Sequence, residues 1–379
     1  EPEARVKGGS MQIGLVSTLM PHTHYAQYLA RALEAASPGA LTVYADRDPR
    51  NETLTGCGRV KALWPRAPGY RPALVRAIAA DRPDAVHLQH EFTMYGGAAT
   101  ALLFPLLLAQ LRRLGVPRVV TVHAVVRPES IDRGFLSLFG PGLRRLPPSV
   151  ARRLFAWIYR RIGREADRII VHTRLMEEGL VRGYGLPPER MAVIPHGVPE
   201  PCASRGRREP YALYFGYLAR RKGLEQVLAG FARFRAAHPG SRLRLILAGG
   251  TIPGQESARH DLERQIQQEG LGDWVSLTGF IAEPERLETL FAAAGCILIP
   301  AAVSIAASGP LAQALRYGKC ILASRIGNLI EELESGADGL LVEPDGWAEA
   351  FAWVDDPAHA GALDRLEAKA REKAARRAW

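Results

Sequence analysis

At 379 residues the chain is longer than the span over which one hydrophobic core keeps growing, so two domains are expected. Apolar residues make up 47% of it, too many for a disordered chain and enough for two cores. The net charge of +10 comes mainly from arginine and asks for an anionic partner, but no nucleic-acid motif interleaves with the basic residues, which sets nucleic acid aside.

Residues 1–10 read as an appended leader, with Met11 as the natural start. From there strand-like and helix-like segments alternate. Strands are expected over 12–17, 40–45, 84–89, 118–123, 168–172 and 191–195. Helices are expected over 25–36, 72–80, 98–114, 149–165 and 175–184. The longest apolar run, 98–111, is too short for a bilayer span and contains Pro105. Residues 198–210 are rich in Pro, Gly and charge and read as a linker. The rhythm then restarts, with strands over 211–217, 244–249, 275–278 and 296–300 and helices over 223–238, 257–269 and 284–293. This alternation means parallel βαβ units. The expectation is an α/β chain of two Rossmann-like, doubly wound domains, 11–197 and 211–345, with the ligand between them at the carboxyl ends of the strands. The tail, 346–379, is helical in pattern; it either crosses back to the first domain or frays.

Cys57, Cys202, Cys296 and Cys320 are scattered without paired spacing. That argues against a disulfide framework or a metal site and for a reducing, cytoplasmic setting. The densest basic cluster, 144–164, interleaves seven arginines with Phe155, Trp157 and Tyr159. It is either a solvated helix whose apolar stripe packs on a sheet or a helix that lies on anionic lipid at the inner face of a membrane.

Residues 306–341 run from a small loop through a helix, a Gly-Lys turn, a strand and a Gly-Asn turn to an acidic helix start. A helix that begins after Ser308-Gly309 can aim free N–H groups at an anion. Gly318, Ala323, Ser324, Gly327 and Glu331 follow the order of the donor-binding signature of family 4 glycosyltransferases, and the segment resembles it. Residues 214–228 add a second match, through Gly216, Leu218, Lys222, Gly223 and Leu228. The resemblance implies the GT-B fold, retaining transfer, and a nucleotide-diphosphate sugar such as GDP-mannose or UDP-glucose as co-substrate, with no other cofactor. A glycan or lipid-linked acceptor is implied, in surface polysaccharide or glycolipid synthesis.

The resemblance also implies roles for single residues. Lys222 neutralises the departing diphosphate, and Arg220 or Arg221 replaces the family arginine where Tyr217 stands. Ser308 and Gly309 grip phosphate. Gly216, Gly249, Gly279 and Phe280 surround the nucleotide. Gln313 and Ile305 stand where the two signature glutamates belong, so the chain is either a variant in which Gln313 holds the ribose or a catalytically silent homologue. His123, at a strand end, faces the sugar. Glu91 and His90, in a Q-H-E-F loop, are candidates for acceptor contact or proton handling. His22, His24 and Tyr25 lie in a first loop on the acceptor side, and His196-Gly197 sits at a hinge. Asp46 and Asp48 spell D-x-D, read as a surface turn rather than a metal site.

Overall fold

The computed structural model describes residues 11–19, 25–48, 51, 54–96, 98–139, 141–202, 207–252 and 255–379. They form two compact units. One runs up to Pro128 and continues over Arg152–Ile194; the other joins Glu129–Ala151 to Pro195–Trp379.

The first unit is built on strands β1 (Ile13–Val16), β2 (Leu41–Asp46), β3 (Arg59–Trp64), β4 (Ala85–His90), β5 (Arg118–Val122), β6 (Arg168–Val171) and β7 (Met191–Val193). They pair in the order β3-β2-β1-β4-β5-β6-β7, with every pairing parallel. Parallel sheets need cover on both faces, which is why β1 reads as a continuous apolar run. The cover comes from α1 (Tyr25–Ala36), α2 (Tyr70–Asp81), α3 (Ala98–Arg113) and later helices. Strand β3 escaped the sequence. It is an edge strand that alternates Arg59 and Lys61 with apolar residues, and its charges pair with Asp81, Lys61 at 2.7 Å.

Two short helices, α4 (Arg133–Ser137) and α5 (Pro141–Arg144), had no periodic signal long enough to read and group with the second unit. The basic helix α6 (Pro148–Glu165) buries Ala151, Phe155, Ile158, Tyr159 and Ile162, so its apolar stripe packs inward. Arg152, Arg153, Arg160 and Arg164 are exposed, beside Trp157 and Val150. Helix α7 (Arg174–Tyr184) starts where the Thr173 hydroxyl accepts the N–H of Met176 and stops at Gly185 in the left-handed region.

The second unit holds β8 (Tyr211–Phe215), α8 (Leu224–Ala237), β9 (Arg244–Ala248), α9 (Ser257–Gln268), β10 (Val275–Gly279), α10 (Pro284–Ala293), β11 (Cys296–Ile299), α11 (Gly309–Arg316), β12 (Ile321–Ser324), α12 (Asn328–Glu332) and β13 (Leu340–Val342). The parallel sheet runs β10-β9-β8-β11-β12-β13. Helices predicted over Tyr25–Ala36 and Pro284–Ala293 form with those bounds.

The tail does not fray. Helix α13 (Trp347–Asp355) buries Trp347 and Phe351 against α8, and α14 (Ala360–Arg376) sets Ala370 and Ala374 into the core beside α11. Ion pairs clamp it, with Arg208 to Glu367 at 3.0 Å and Lys373 to Asp338. The helix pair α8 and α13 is so close that a Cβ on Gly230 would lie 2.3 Å from the Cβ of Trp347. The added methyl outweighs the better helix propensity of alanine. Gly230→Ala is therefore expected to lower stability by about 1–3 kcal/mol, read as a reduced urea midpoint at unchanged slope.

Candidate functional site

In a doubly wound sheet the crevice opens beyond the carboxyl ends of the strands where the order reverses. In the second unit that point lies between β8 and β11. Three of the glycines expected around a nucleotide meet there. The Gly216 N–H donates to the carbonyl of Ala248 at 3.0 Å, and a Cβ on Gly249 would lie 1.7 Å from the Gly216 carbonyl oxygen. Gly249 in turn bridges Gly279. A side chain on Gly249 would break this junction, so glycine is required by space as well as by its φ of +156°. Beside it Phe280 is 63% exposed.

The turn Arg220–Lys222 follows β8 and is tied to the loop after β11, because Ala302 donates its N–H to the Arg221 carbonyl at 3.0 Å. Arg220 is paired with Asp261 on α9. Arg221 has no acidic partner among the described residues, so of the two arginines it is the one with charge to spare. Lys222 likewise has no carboxylate partner among them. Part of its side chain reaches solvent, yet protein surrounds it on most sides. That burial, with the Arg221 charge beside it, pushes its ammonium down to about 7.

Loop 300–308 is held by side-chain oxygens. The Ser324 hydroxyl accepts the N–H of Ala301 at 3.0 Å, and Ser304 accepts that of Asn328 at 2.9 Å. Gly327 allows the second contact, since a Cβ there would lie 2.6 Å from that of Ser304. At the start of α11 the Ser308 hydroxyl caps the helix by accepting the Leu311 N–H at 3.2 Å. Pro310 has no N–H, and the Ser308 amide faces the buried carboxyl of Glu332, which burial holds up at about 7. Of the N–H groups of Ser308, Gly309 and Leu311, that of Gly309 has no acceptor among the described residues and is left to meet an anion. Gln313 is 3% exposed on the same helix. Ile305 is half-buried.

In the first unit the order reverses between β1 and β4. His123 follows β5, and both its ring nitrogens are engaged. Nε2 lies 2.8 Å from the Gln89 side-chain oxygen, and Nδ1 lies 3.1 Å from Nε2 of His172. The Tyr25 ring meets His123 edge-on at 4.6 Å and hydrogen-bonds Thr121. Beyond His123 the chain is pinned by Tyr159, whose hydroxyl accepts from Val126 at 3.0 Å and donates to Ala124 at 2.9 Å. Glu91 is half-buried and uses one oxygen to accept from the Thr93 N–H and hydroxyl, at 3.2 and 2.7 Å.

Two sequence readings need correction. His90 is 1% exposed, packed against Phe92 and Phe104, and burial pushes its imidazole down to about 3. Its β4 position turns it into the core, so no acceptor hydroxyl reaches it. Asp46 is not on a surface turn. It is 4% exposed, accepts the Leu19 N–H at 3.3 Å and pairs with Arg66 at 3.1 Å. His22 and His24 lie outside the described residues. His172 was missed because a lone strand-end histidine carries no motif. Among the described residues no group of three or more His, Cys, Asp or Glu is placed to hold a metal ion, and no helix is long and apolar enough to cross a membrane.

Residues 23–200 match the family described as Glycosyltransferase Family 4, and residues 204–373 match Glycosyl transferases group 1. The chain belongs to glycosyltransferase family 4. It is 28% identical over 316 residues to a D-inositol 3-phosphate glycosyltransferase of Acidothermus cellulolyticus, a match that covers 78% of this chain and 63% of that protein. A glycogen synthase of Mycobacterium tuberculosis is 26% identical over 348 residues, 86% of this chain and 74% of that one. Among solved structures, sucrose-phosphate synthase from Thermosynechococcus elongatus superposes with a TM-score of 0.74 at 22% identity, covering 97% of this chain and 94% of that one. HepE of Anabaena, crystallised with UDP-glucose, gives 0.71 at 18% identity, covering 97% and 95%. The two sheets and these neighbours give the GT-B fold.

The Lys222 ammonium has a consequence for stability. The unfolded chain keeps that proton up to about pH 10.4, the folded protein only to about 7. Between those values the unfolded state binds more protons, so this group makes the fold more stable as pH rises through the window, and its full cost is present below it. Lys222→Met is expected to raise the urea midpoint at pH 6 and to flatten the rise between pH 7 and 10.

Proposed function

We propose that this chain is a retaining glycosyltransferase that moves a hexose from a nucleotide-diphosphate sugar to a hydroxyl of a glycan or lipid-linked acceptor. The observation that carries the reading is the meeting of Lys222 and Arg221, two cations without carboxylate partners among the described residues, with the glycine junction Gly216–Gly249–Gly279 and the start of α11. The glycines admit a nucleotide to the backbone, Gly309 offers an amide, and Lys222 and Arg221 take up the charge of the leaving diphosphate. The bond from the anomeric carbon to the phosphate oxygen breaks. The bond to the acceptor oxygen forms on the same face, and the acceptor proton passes to the departing phosphate. Because these cations neutralise the leaving group, no metal is required.

The neighbours crystallised with UDP and with UDP-glucose support a nucleotide sugar. UDP-glucose and GDP-mannose are the donors this reading admits, with Gln313 toward the ribose and Phe280 toward the base. Tyr25, His123 and Glu91 serve the sugar and the acceptor. Ile305 and Gln313 favour a second reading, a silent homologue that binds without transfer.

The deciding experiment is transfer from UDP-glucose and GDP-mannose in EDTA, wild type against Lys222→Ala. The variant should lose about two to three orders of magnitude in turnover, the scale of a lost preorganised charge stabiliser, while still folding. Near-wild-type turnover would remove Lys222 from the mechanism. Donor binding without transfer by the wild type would favour the silent reading.

We further propose that the exposed arginines of α6 seat the protein on anionic lipid, where a lipid-linked acceptor resides. The wild type should sediment with phosphatidylglycerol vesicles and not with phosphatidylcholine ones, and Arg153→Glu with Arg164→Glu should release it. Equal sedimentation with both lipids would dismiss the surface.

A further inference from the structure

Strands β5 and β6 pair in parallel with Thr121 beside Ile170. Two residues further on, each chain leaves the sheet at a histidine, His123 on one side and His172 on the other. Their rings approach to a centroid distance of 5.0 Å, with His172 Nε2 3.1 Å from His123 Nδ1. His172 is 2% exposed and Gln89 fully buried, while the His123 ring is half-buried.

The proton positions follow from the partners. Nδ1 of His172 lies 2.9 Å from the Ile194 carbonyl oxygen, which only accepts, so this nitrogen carries a hydrogen. Burial pushes the His172 imidazole downward and disfavours a second proton on it. Its Nε2 is then a bare lone pair, and the proton between the rings belongs to His123 Nδ1. The far nitrogen of His123 meets Gln89 at 2.8 Å. An amide serves either form of that nitrogen: its oxygen accepts from an N–H, and its NH2, which has no other partner among the described residues, donates to a lone pair. Among the described residues the titratable groups placed beside the pair are Tyr25 on α1, whose ring meets both histidines, and His87 on β4, which shares Thr121 with Tyr25; His90, on the same strand, packs against Phe92 and Phe104. Burial holds the Tyr25 phenol neutral, and it pushes His87 down to about 4 and His90 to about 3, so those rings are uncharged near neutral pH.

We propose that His172 is a positioning residue for His123: it fixes the proton on Nδ1 and confines the proton exchange of the pair to His123 Nε2. An isolated imidazole has no such constraint. On the transfer reading above, on which the consequence for catalysis rests, a sugar or acceptor hydroxyl that meets the neutral ring meets a hydrogen-bond acceptor, shared with the Gln89 amide.

The test is 15N NMR of the imidazole nitrogens, run beside a transfer assay across pH 5–9. In the wild type, neutral His123 should be protonated at Nδ1. In His172→Phe the acceptor is gone, and the proton should move to Nε2, where Gln89 oxygen accepts it. Turnover should fall about ten- to hundredfold, the scale seen when the partner that orients a functional histidine is removed. His172→Gln supplies a carbonyl oxygen in place of the lone pair and should keep the Nδ1 proton and most of the turnover. An Nε2 proton on neutral His123 in the wild type, or an unchanged tautomer in His172→Phe, overturns the proposal. If His172→Phe does not fold, the wild-type spectrum and His172→Gln still decide it. A tautomer switch in a protein that transfers no sugar would sustain the proton assignment and defeat the transferase reading.

Discussion

The candidate nucleotide site of the second unit depends on one close approach. The chain leaving β9 passes the chain leaving β8 so tightly that Gly249 has the Gly216 carbonyl where a Cβ would stand, 1.7 Å away. With the two exits locked together, β10 ends against the same point through the bridge to Gly279. Pro310, at the start of α11, lies within 3.8 Å of where a Cβ on Gly216 would be. Three strand ends are thus brought together by backbone alone, with the Pro310 ring of one helix start beside them. A surface made of backbone offers amides and little bulk, which suits an anion that must come close.

Around that junction the electrostatics are arranged against stability. A lysine that is largely buried beside an arginine, with no carboxylate partner among the described residues, is costly, and the depressed ammonium of Lys222 records that cost. The remaining charges are handled differently. Arg220 answers Asp261, Arg208 answers Glu367, and Lys373 answers Asp338. The Arg208 and Lys373 pairs clamp α14, and the Arg220 pair ties the turn after β8 to α9. Lys222 and Arg221, which have no acidic partner among the described residues, follow β8 beside the switch point with β11. Sites that bind a charged group commonly carry such unfavourable local charge, since the partner arrives with the ligand.

The first unit makes its polar edge from side chains rather than backbone. His123, His172, Gln89 and Tyr25 gather at the ends of β4, β5 and β6 and the start of α1. The register of the sheet brings them together. A shift of one residue between β5 and β6 would turn one histidine to the opposite face and dissolve the pair.

What the sequence determined by itself is local and periodic. The α/β alternation and the helices over Tyr25–Ala36 and Pro284–Ala293 were legible because apolar spacing acts over a few residues, while the glycines at 216, 249, 279 and 327 were marked by the family resemblance. Strand β3 was not legible, because an edge strand is half-solvated and its charges mask the pattern. The tertiary structure alone decided matters that depend on residues far apart in the chain. It turned His90 into the core, took Arg220 out of contention by pairing it with Asp261, and left Arg221 beside Lys222. It also put His172, which no motif marks, against His123 through the pairing of β5 with β6. Burial, ion-pair choice and strand register are set by neighbours in space, and a linear pattern carries no record of which neighbours those are.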